Sequence, residues 1–281
     1  MQKNKKISIL GMGLLGACLA SSVRKYLPEY FISAWSRSQS SRDTTASLNI
    51  VDEVCENYLD SARGADFVFI CTNVSTIAFY AKEVLPVLNK GAIVSDVGSI
   101  KGLICEEVEP AYKDKDVHFI ASHPMAGSEK TGAENYIEDL FRDKPCLVMN
   151  NQDEAATKLL VEFWQKLGMN VSTVNPKEHD IIVSKISHLP HILASAMCEF
   201  VIDDKSAQDA ISTGFKDTTR IASGDPYLWQ DIISSNKTAI RDSIDAFIDN
   251  MKEFKEKLDD NEYLYTFLKN SKDFRDSIIK K

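Results

Sequence analysis

The sequence has no CxxC pair, no low-complexity tract, no collagen-like period and no uninterrupted apolar run of the roughly 18 residues that cross a bilayer. Its six cysteines (Cys18, Cys55, Cys71, Cys105, Cys146 and Cys198) are scattered, none closer than Cys55 and Cys71. That spacing leaves no zinc knuckle and no dithiol redox motif. Cys71 follows Ile70 and Cys146 precedes Leu147-Val148, so these thiols read as free, buried groups of a reducing cytoplasm. Basic residues are also in deficit, 33 Lys and Arg against 41 Asp and Glu, for a net charge of −8. Nucleic-acid binding requires a basic face, so neither a nucleic acid nor a membrane is expected as partner. What the chain does have is 281 residues, 44% hydrophobic and 26% charged, the size and mixture of two globular domains.

The N-terminus reads in two ways. Lys3, Lys5 and Lys6 precede an apolar run from Ile7 to Ala20, and Leu15-Gly16-Ala17-Cys18 is similar to a lipoprotein cleavage box, as in a secretory signal. The rival is a strand from Lys6 to Leu10 that turns through Gly11-Met12-Gly13-Leu14-Leu15-Gly16 into a helix. The glycines favour the strand, because a signal has no use for G-x-G-x-x-G. In a dinucleotide fold the first glycine permits the tight turn, the second lets a pyrophosphate approach and the third lets helix and strand pack closely. The helix N-terminus then presents free N–H groups to the phosphate. Val23, Tyr26 and Leu27 continue the helix face, and a second apolar strand, Tyr30 to Trp35, follows at βαβ spacing.

Alternation continues. Strands are predicted at 66–71, 92–97, 117–122, 146–149 and 170–174, with helices at 75–88, 99–112 and 155–167, the last stopped by Gly168. After Pro176 only helical periods remain, the clearest being Ile240, Ile244, Phe247, Met251, Phe254 and Leu258. The expected architecture is therefore α/β: a Rossmann-like, doubly wound parallel sheet over 1–175, followed by an all-α domain over 176–281. The long apolar face is more than the helical domain needs for itself, which points to a homodimer through that domain.

Gly11, Gly13, Leu14, Leu15, Gly16 and, beyond the fourth predicted element, Thr72 are the expected cofactor positions. The second strand ends Trp35-Ser36-Arg37-Ser38, with Arg42 nearby and no Asp or Glu to bond ribose hydroxyls. Ser36, Arg37 and Ser38 suit a 2′-phosphate, so NADP is favoured over NAD. Arg37 stacked on adenine or facing solvent is the alternative.

Only five histidines exist: His118, His123, His179, His188 and His191. His123 lies directly after a predicted strand, in Ser122-His123-Pro124-Met125-Ala126-Gly127-Ser128-Glu129, where ligands of such sheets bind. Ser99, in Asp96-Val97-Gly98-Ser99-Ile100-Lys101, also follows a strand end, though it would equally serve as a helix cap. His188 and His191 are three apart in Ser187-His188-Leu189-Pro190-His191; they could ligate metal, but no third ligand has suitable spacing. His118 is expected to point away and His179 to be a solvated or capping residue. Lys216 and Arg220, one turn apart in Gly214 to Arg220, supply cations, unless Arg220 merely pairs with Asp217.

Taken in order, the glycine loop, 96–101, 123–129, 187–191 and 214–220 resemble the prephenate/arogenate dehydrogenase family of tyrosine biosynthesis, over nearly the whole chain. The resemblance implies that His123 is the catalytic base at the substrate's ring hydroxyl and that Ser99 contacts that hydroxyl and positions the nicotinamide. It further implies that Arg220 holds a substrate carboxylate, His191 assists binding and Glu129 shapes the pocket, while Lys216 and Asp217 match the pattern with less defined roles. In that chemistry a hydride leaves C4 of a cyclohexadiene while its ring carboxylate departs as carbon dioxide, and aromatisation drives the step. A neutral imidazole suits the hydroxyl proton, and a guanidinium stays charged for the carboxylate. The presence of both His191 and Glu129 favours prephenate over arogenate. The length leaves no room for the appended mutase or regulatory domains of some relatives, so a bare dehydrogenase is expected. Two rivals remain: a β-hydroxyacid-type dehydrogenase with Lys185 as catalytic lysine, which leaves the His123 motif unexplained, and a non-catalytic dinucleotide sensor.

Overall fold

A computed structural model describes residues 5–128, 130–150 and 153–279. Strands β1 (Lys5–Leu10), β2 (Tyr30–Trp35), β3 (Glu53–Cys55), β4 (Phe67–Ile70), β5 (Ile93–Asp96) and β6 (His118–Phe119) form one parallel sheet in the order β3-β2-β1-β4-β5-β6. Helices α1 (Leu14–Tyr26), α2 (Gln39–Ser47), α3 (Tyr58–Ala62), α4 (Val74–Glu83) and α5 (Gly102–Tyr112) connect them. Successive residues of a strand face opposite sides, so β4 sends Phe67 and Phe69 into one core and Val68 and Ile70 into the other. The first core includes Trp164 and Phe163 from α6 (Glu154–Lys166), and the second includes Ile77, Ile104 and Val108 from α4 and α5.

The N-terminal run is the strand β1 at the centre of this sheet, and Cys18 is buried within α1, so the signal-peptide reading falls. All six cysteines are free. Strand order reverses between β1 and β4, and a ligand crevice opens beyond the strands' carboxyl ends at such a switch point.

Three expectations need correction. The strands near 146 and 170 do not join the parallel sheet. With β7 (Ser122–Pro124), β8 (Pro145–Met149) and β9 (Asn170–Val174) make a separate sheet in which β7 and β8 are antiparallel. The run predicted at 117–122 breaks between β6 and β7, so His123 lies within a strand rather than after one. The helix predicted from Ser99 begins at Gly102, and Ser99 does not cap it.

The remaining helices are α7 (Pro176–Val183), α8 (Leu189–Val201), α9 (Lys205–Asp209), α10 (Thr213–Thr219), α11 (Pro226–Ser235), α12 (Lys237–Glu256) and α13 (Asn261–Ile279). A single π-helical turn, Ser184–His188, joins α7 to α8. Pro190 lacks an N–H and its ring crowds the preceding turn, so a widened turn here absorbs the proline while the helix continues. By length and composition the stretch Pro176–Val201 is long and apolar enough to cross a bilayer. Its buried residues, however, include the polar His179, Asp180, Ser184, His188 and His191 beside Val183 and Ala194. On α12, Ile240 is buried, but the same face runs out to exposed Met251, and Leu258 beyond it is exposed too.

Gly11 and Gly16 are where the turn requires glycine. Gly11 has φ +101°, and a Cβ there would lie 2.7 Å from the Cys71 carbonyl oxygen. A Cβ on Gly16 would lie 2.1 Å from the Gly11 carbonyl oxygen, a contact no rotamer relieves. Gly16→Ala is therefore expected to destabilise the protein by about 1–3 kcal/mol and to weaken nucleotide binding. Urea unfolding with and without nucleotide checks this; parental stability and affinity would contradict the packing assigned to Gly16.

Candidate active site

The crevice beyond β1, β2 and β4 is a cleft of about 540 Å³ whose lining includes Gly11, Gly13, Ser36, Arg37, Ser38 and Thr72. Gly13 has nothing within 4 Å of where its Cβ would be, so the backbone is open to close approach there. α1 has no side-chain cap, and its first helical bond runs from Ala17 N–H to the Gly13 carbonyl. The N–H groups of Leu14, Leu15 and Gly16 thus lack helical acceptors and suit an anion. The side chains of Leu14 and Leu15 pack into the core, so only their backbone can serve a cofactor.

At the end of β2 the expected trio divides. Ser36 is buried and its hydroxyl accepts the Met12 N–H at 2.9 Å, which braces the glycine loop. Ser38 caps α2, accepting the Ser41 N–H at 3.2 Å. Arg37 is exposed on the rim, and Arg42 folds back onto the carbonyls of Ser36 and Arg37 at 2.8 and 3.0 Å. Ser40, Ser41 and Thr44 complete this wall, and the carboxylate among the lining residues is Glu134, from the short turn Ala133–Asn135. The chain thus fits a dinucleotide: open backbone for the pyrophosphate, a helix N-terminus behind it and a hydroxyl-rich, cationic rim.

Beyond β5 and β7 lies a bonded polar cluster. His123 Nδ1 is 2.9 Å from His179 Nε2, and His179 Nδ1 is 2.8 Å from Asp180 Oδ1. Asp180 also accepts the backbone N–H groups of Lys101 and Gly102, each at 2.9 Å, and so caps α5 in place of Ser99. Lys101 is wholly buried and paired with Asp96, which also accepts the Gly98 N–H at 2.9 Å. Ser99 sits half-buried in the loop between these two charges. Asn236 donates to the Asp180 carbonyl at 2.9 Å, and its Nδ2 lies 3.3 Å from His188 Nδ1. His191 stacks on Trp229 with ring centroids 3.5 Å apart. His188 meets the same Trp229 edge-on, with centroids 6.3 Å apart, and among the described residues no group of three or more His, Cys, Asp or Glu side chains could hold a metal.

Burial dominates the titration of these groups. It pushes His123 well below the usual imidazole value, reinforced by His179, Lys101 and His188. Burial also lowers His179, against the opposing effect of Asp180, and lowers His191. His188 falls to about 4 for the same reason. At neutral pH His123 is therefore an uncharged base candidate whose free nitrogen is Nε2.

Lys216 on α10 and Arg220, which opens a short turn after it, are exposed on elements that pack against α8. Among the described residues Arg220 forms no ion pair, including with Asp217. Glu129 lies outside the described residues. Lys185 is exposed on the π turn, which does not suit it to the role its rival reading requires. His118 pairs with Asp153 at 2.7 Å in a separate groove beside α5. Sequence reasoning missed His179, Asp180, Lys101 and Asn236. The signal for His179 was weak, because Lys177 and Glu178 beside it are charged; only tertiary packing shows that it is buried.

Residues 19–173 match the family model for the prephenate dehydrogenase nucleotide-binding domain, and 175–270 that for the prephenate dehydrogenase dimerization domain. The first match begins beyond the glycine loop, whose reading rests on its geometry. Cyclohexadienyl dehydrogenase of Zymomonas mobilis is 30% identical over 280 residues, covering 96% of this chain and 95% of its own. The crystal structure of prephenate dehydrogenase from Aquifex aeolicus with hydroxyphenyl propionate and NAD+ has a TM-score of 0.89 at 29% identity, covering 98% of each chain. That of Synechocystis arogenate dehydrogenase scores 0.83 at 28% identity, covering 97% of this chain and 99% of the other.

His188 has a further consequence. Unfolded, it takes a proton near 6.5; folded, only near 4, so the unfolded state binds more protons between these values. Its contribution to stability is present above pH 6.5 and is lost as pH falls toward 4, up to about 3 kcal/mol. Urea midpoints at pH 7 and 4.5 are expected to fall further in the parent than in His188→Gln; equal losses would contradict this.

Proposed function

The chain belongs to the prephenate dehydrogenase family, and from that premise we propose that this oxidoreductase of tyrosine biosynthesis converts prephenate to 4-hydroxyphenylpyruvate, with NADP preferred to NAD as hydride acceptor. The observation that carries the reading is His123, neutral and half-buried beyond the sheet, with Nδ1 engaged and Nε2 left for substrate. In the reaction the C4 hydrogen leaves with its electron pair for the nicotinamide, and the C1–carboxylate bond breaks to release carbon dioxide. His123 Nε2 accepts the hydrogen bond of the 4-hydroxyl, and at the limit its proton, so positive charge developing at C4 spreads onto oxygen. The proton returns to the phenol as the ring becomes aromatic. The nicotinamide supplies the electron sink.

Ser99, in the loop from β5, is assigned to the same hydroxyl and to the nicotinamide face. Arg220 is assigned to a substrate carboxylate, which it can bind bidentately, with Lys216 one turn away adding charge. His191 is assigned to substrate binding from its stack on Trp229. Gly11, Gly13, the first turn of α1 and Thr72 would hold the pyrophosphate side of the cofactor, with Arg37 and the α2 N-terminus at the 2′-phosphate. Support for NADP is the lack of a carboxylate at the end of β2. Support for prephenate over arogenate is the presence of His191, together with Glu129 in the sequence.

Steady-state assay of prephenate and arogenate, each with NAD and NADP, tests both preferences. Prephenate with NADP is expected to be fastest, Arg37→Ala to raise KM for NADP more than for NAD, and His123→Asn to lower kcat by about a hundredfold or more. Faster arogenate turnover would reverse the substrate assignment, and an unchanged His123→Asn enzyme would reverse the assignment of the base.

We also propose a homodimer through the helical domain. The support is the exposed apolar residues Ile248, Met251 and Leu258, the exposed Phe274 and Ile278 of α13, and the dimerization-domain match over 175–270. Sedimentation at micromolar concentration is expected to give twice the mass of one chain; a clean monomer would contradict it.

A further inference from the structure

Behind His123 stands a chain of side chains that no step of the reaction touches. Asp180 ends it. Its carboxylate can only accept, and it takes hydrogen bonds from Lys101 N–H, Gly102 N–H and, at 2.8 Å, His179 Nδ1. His179 must therefore carry its hydrogen on Nδ1. A neutral His179 then has a lone pair on Nε2, and His123 Nδ1 lies 2.9 Å from it. The hydrogen between the two rings must accordingly belong to His123 Nδ1, which leaves the lone pair of His123 on Nε2. We propose that His179 and Asp180 are positioning residues that hold His123 in its Nδ1–H tautomer, so that Nε2 meets the substrate as a base.

This rests on the reading of His123 as the catalytic base. The opposite arrangement would need His179 to carry two protons, which its burial opposes. It would also put a hydrogen on His123 Nε2, and an N–H donor cannot take the hydroxyl proton. The chain has an electrostatic effect as well. When His123 gains positive charge, its Nδ1–H bond to His179 strengthens, and Asp180 behind His179 answers with negative charge. The other groups facing His123 are Lys101, paired with Asp96, from the loop before α5 and His188 from the π turn. Lys101 and a protonated His188 would oppose charge on His123, so Asp180, acting through His179, is the opposing influence that favours it. The chain also crosses between the two halves of the molecule. Asp180 belongs to α7 while the N–H groups it caps belong to α5, so seating the helical domain on the sheet sets the orientation of the base.

His179→Phe keeps a ring of similar shape but no acceptor. It is expected to lower kcat roughly tenfold or more while leaving KM for the cofactor near the parent. The acid limb of its kcat/KM profile should move to lower pH, because the imidazolium loses its acceptor and the charge behind it. His179→Gln, whose amide oxygen can accept the Nδ1 hydrogen, should recover most of the lost rate. A readout independent of turnover is 15N NMR of the His123 ring in the intact protein at neutral pH, expected to show hydrogen on Nδ1 in the parent and in His179→Gln. A cooperatively folded His179→Phe enzyme with kcat within about twofold of parent and an unmoved acid limb would overturn the proposal. So would a parent ring that carries its hydrogen on Nε2. Should the parent turn over neither substrate with either cofactor, the assignment of function fails, while the NMR result still judges the tautomer.

Discussion

The carboxylate of Asp180 is the contact on which the arrangement of the site depends. It receives two backbone N–H groups that open α5 and one imidazole N–H, and its own carbonyl receives Asn236. The first residues of a helix leave N–H groups without acceptors, and burying them unpaired is costly. In most helices a neighbouring Ser or Asp supplies the acceptor. Here it comes from the other half of the molecule, 78 or 79 positions along the chain. The need of one helix for a cap therefore docks the helical domain, and docking completes the chain that ends at His123.

The π turn between α7 and α8 serves the same geometry. A regular helix carried through Pro190 would bring its ring against the carbonyl four residues back. Widening by one residue over Ser184–His188 relieves that clash and shifts the helical phase. His179, Asp180, Ser184, His188 and His191 are all buried along this stretch. Ser184 then bonds Ser243 of α12 at 2.7 Å, which ties the same stretch to the long helix behind it.

Much of this was legible in the sequence and some was not, for identifiable reasons. The glycine loop and the alternation of strand and helix are local features, and Gly11, Gly16 and the apolar strands announce them directly. β3 escaped because three residues, Glu53–Cys55, carry no period. The second sheet escaped because the antiparallel pairing of Ser122 with Val148 is a long-range event that strand propensity does not encode. Ser99 was an acceptable cap by residue type, and it lost that role to a carboxylate supplied by tertiary contact. His179 looked solvated beside Lys177 and Glu178, yet it is fully buried. Ser36 is by residue type a suitable phosphate donor, whereas its oxygen braces Met12. The sequence thus disclosed the groups that would meet ligands more readily than the groups that orient them, because orientation is supplied by residues distant along the chain.

A net charge of −8 sits uneasily with a cleft for anions, and the structure resolves the difficulty by dividing its charges. Lys101, the buried cation, is neutralised by Asp96, so it adds little net charge to the site. Its proximity nonetheless lowers the basicity of His123, and without Asp96 beside it that effect would be larger. His123, His179, His188 and His191 are all driven toward their neutral forms by burial. The interior of the site is thus a set of directed donors and acceptors with little charge. Among the described residues Arg37, Lys216 and Arg220 are exposed cations in no ion pair, and together with the N-terminus of α1 they are the groups proposed above to meet the anionic parts of cofactor and substrate. None of these three cations is among the groups that lower His123, so each can attract an anion without suppressing the imidazole that must accept a proton.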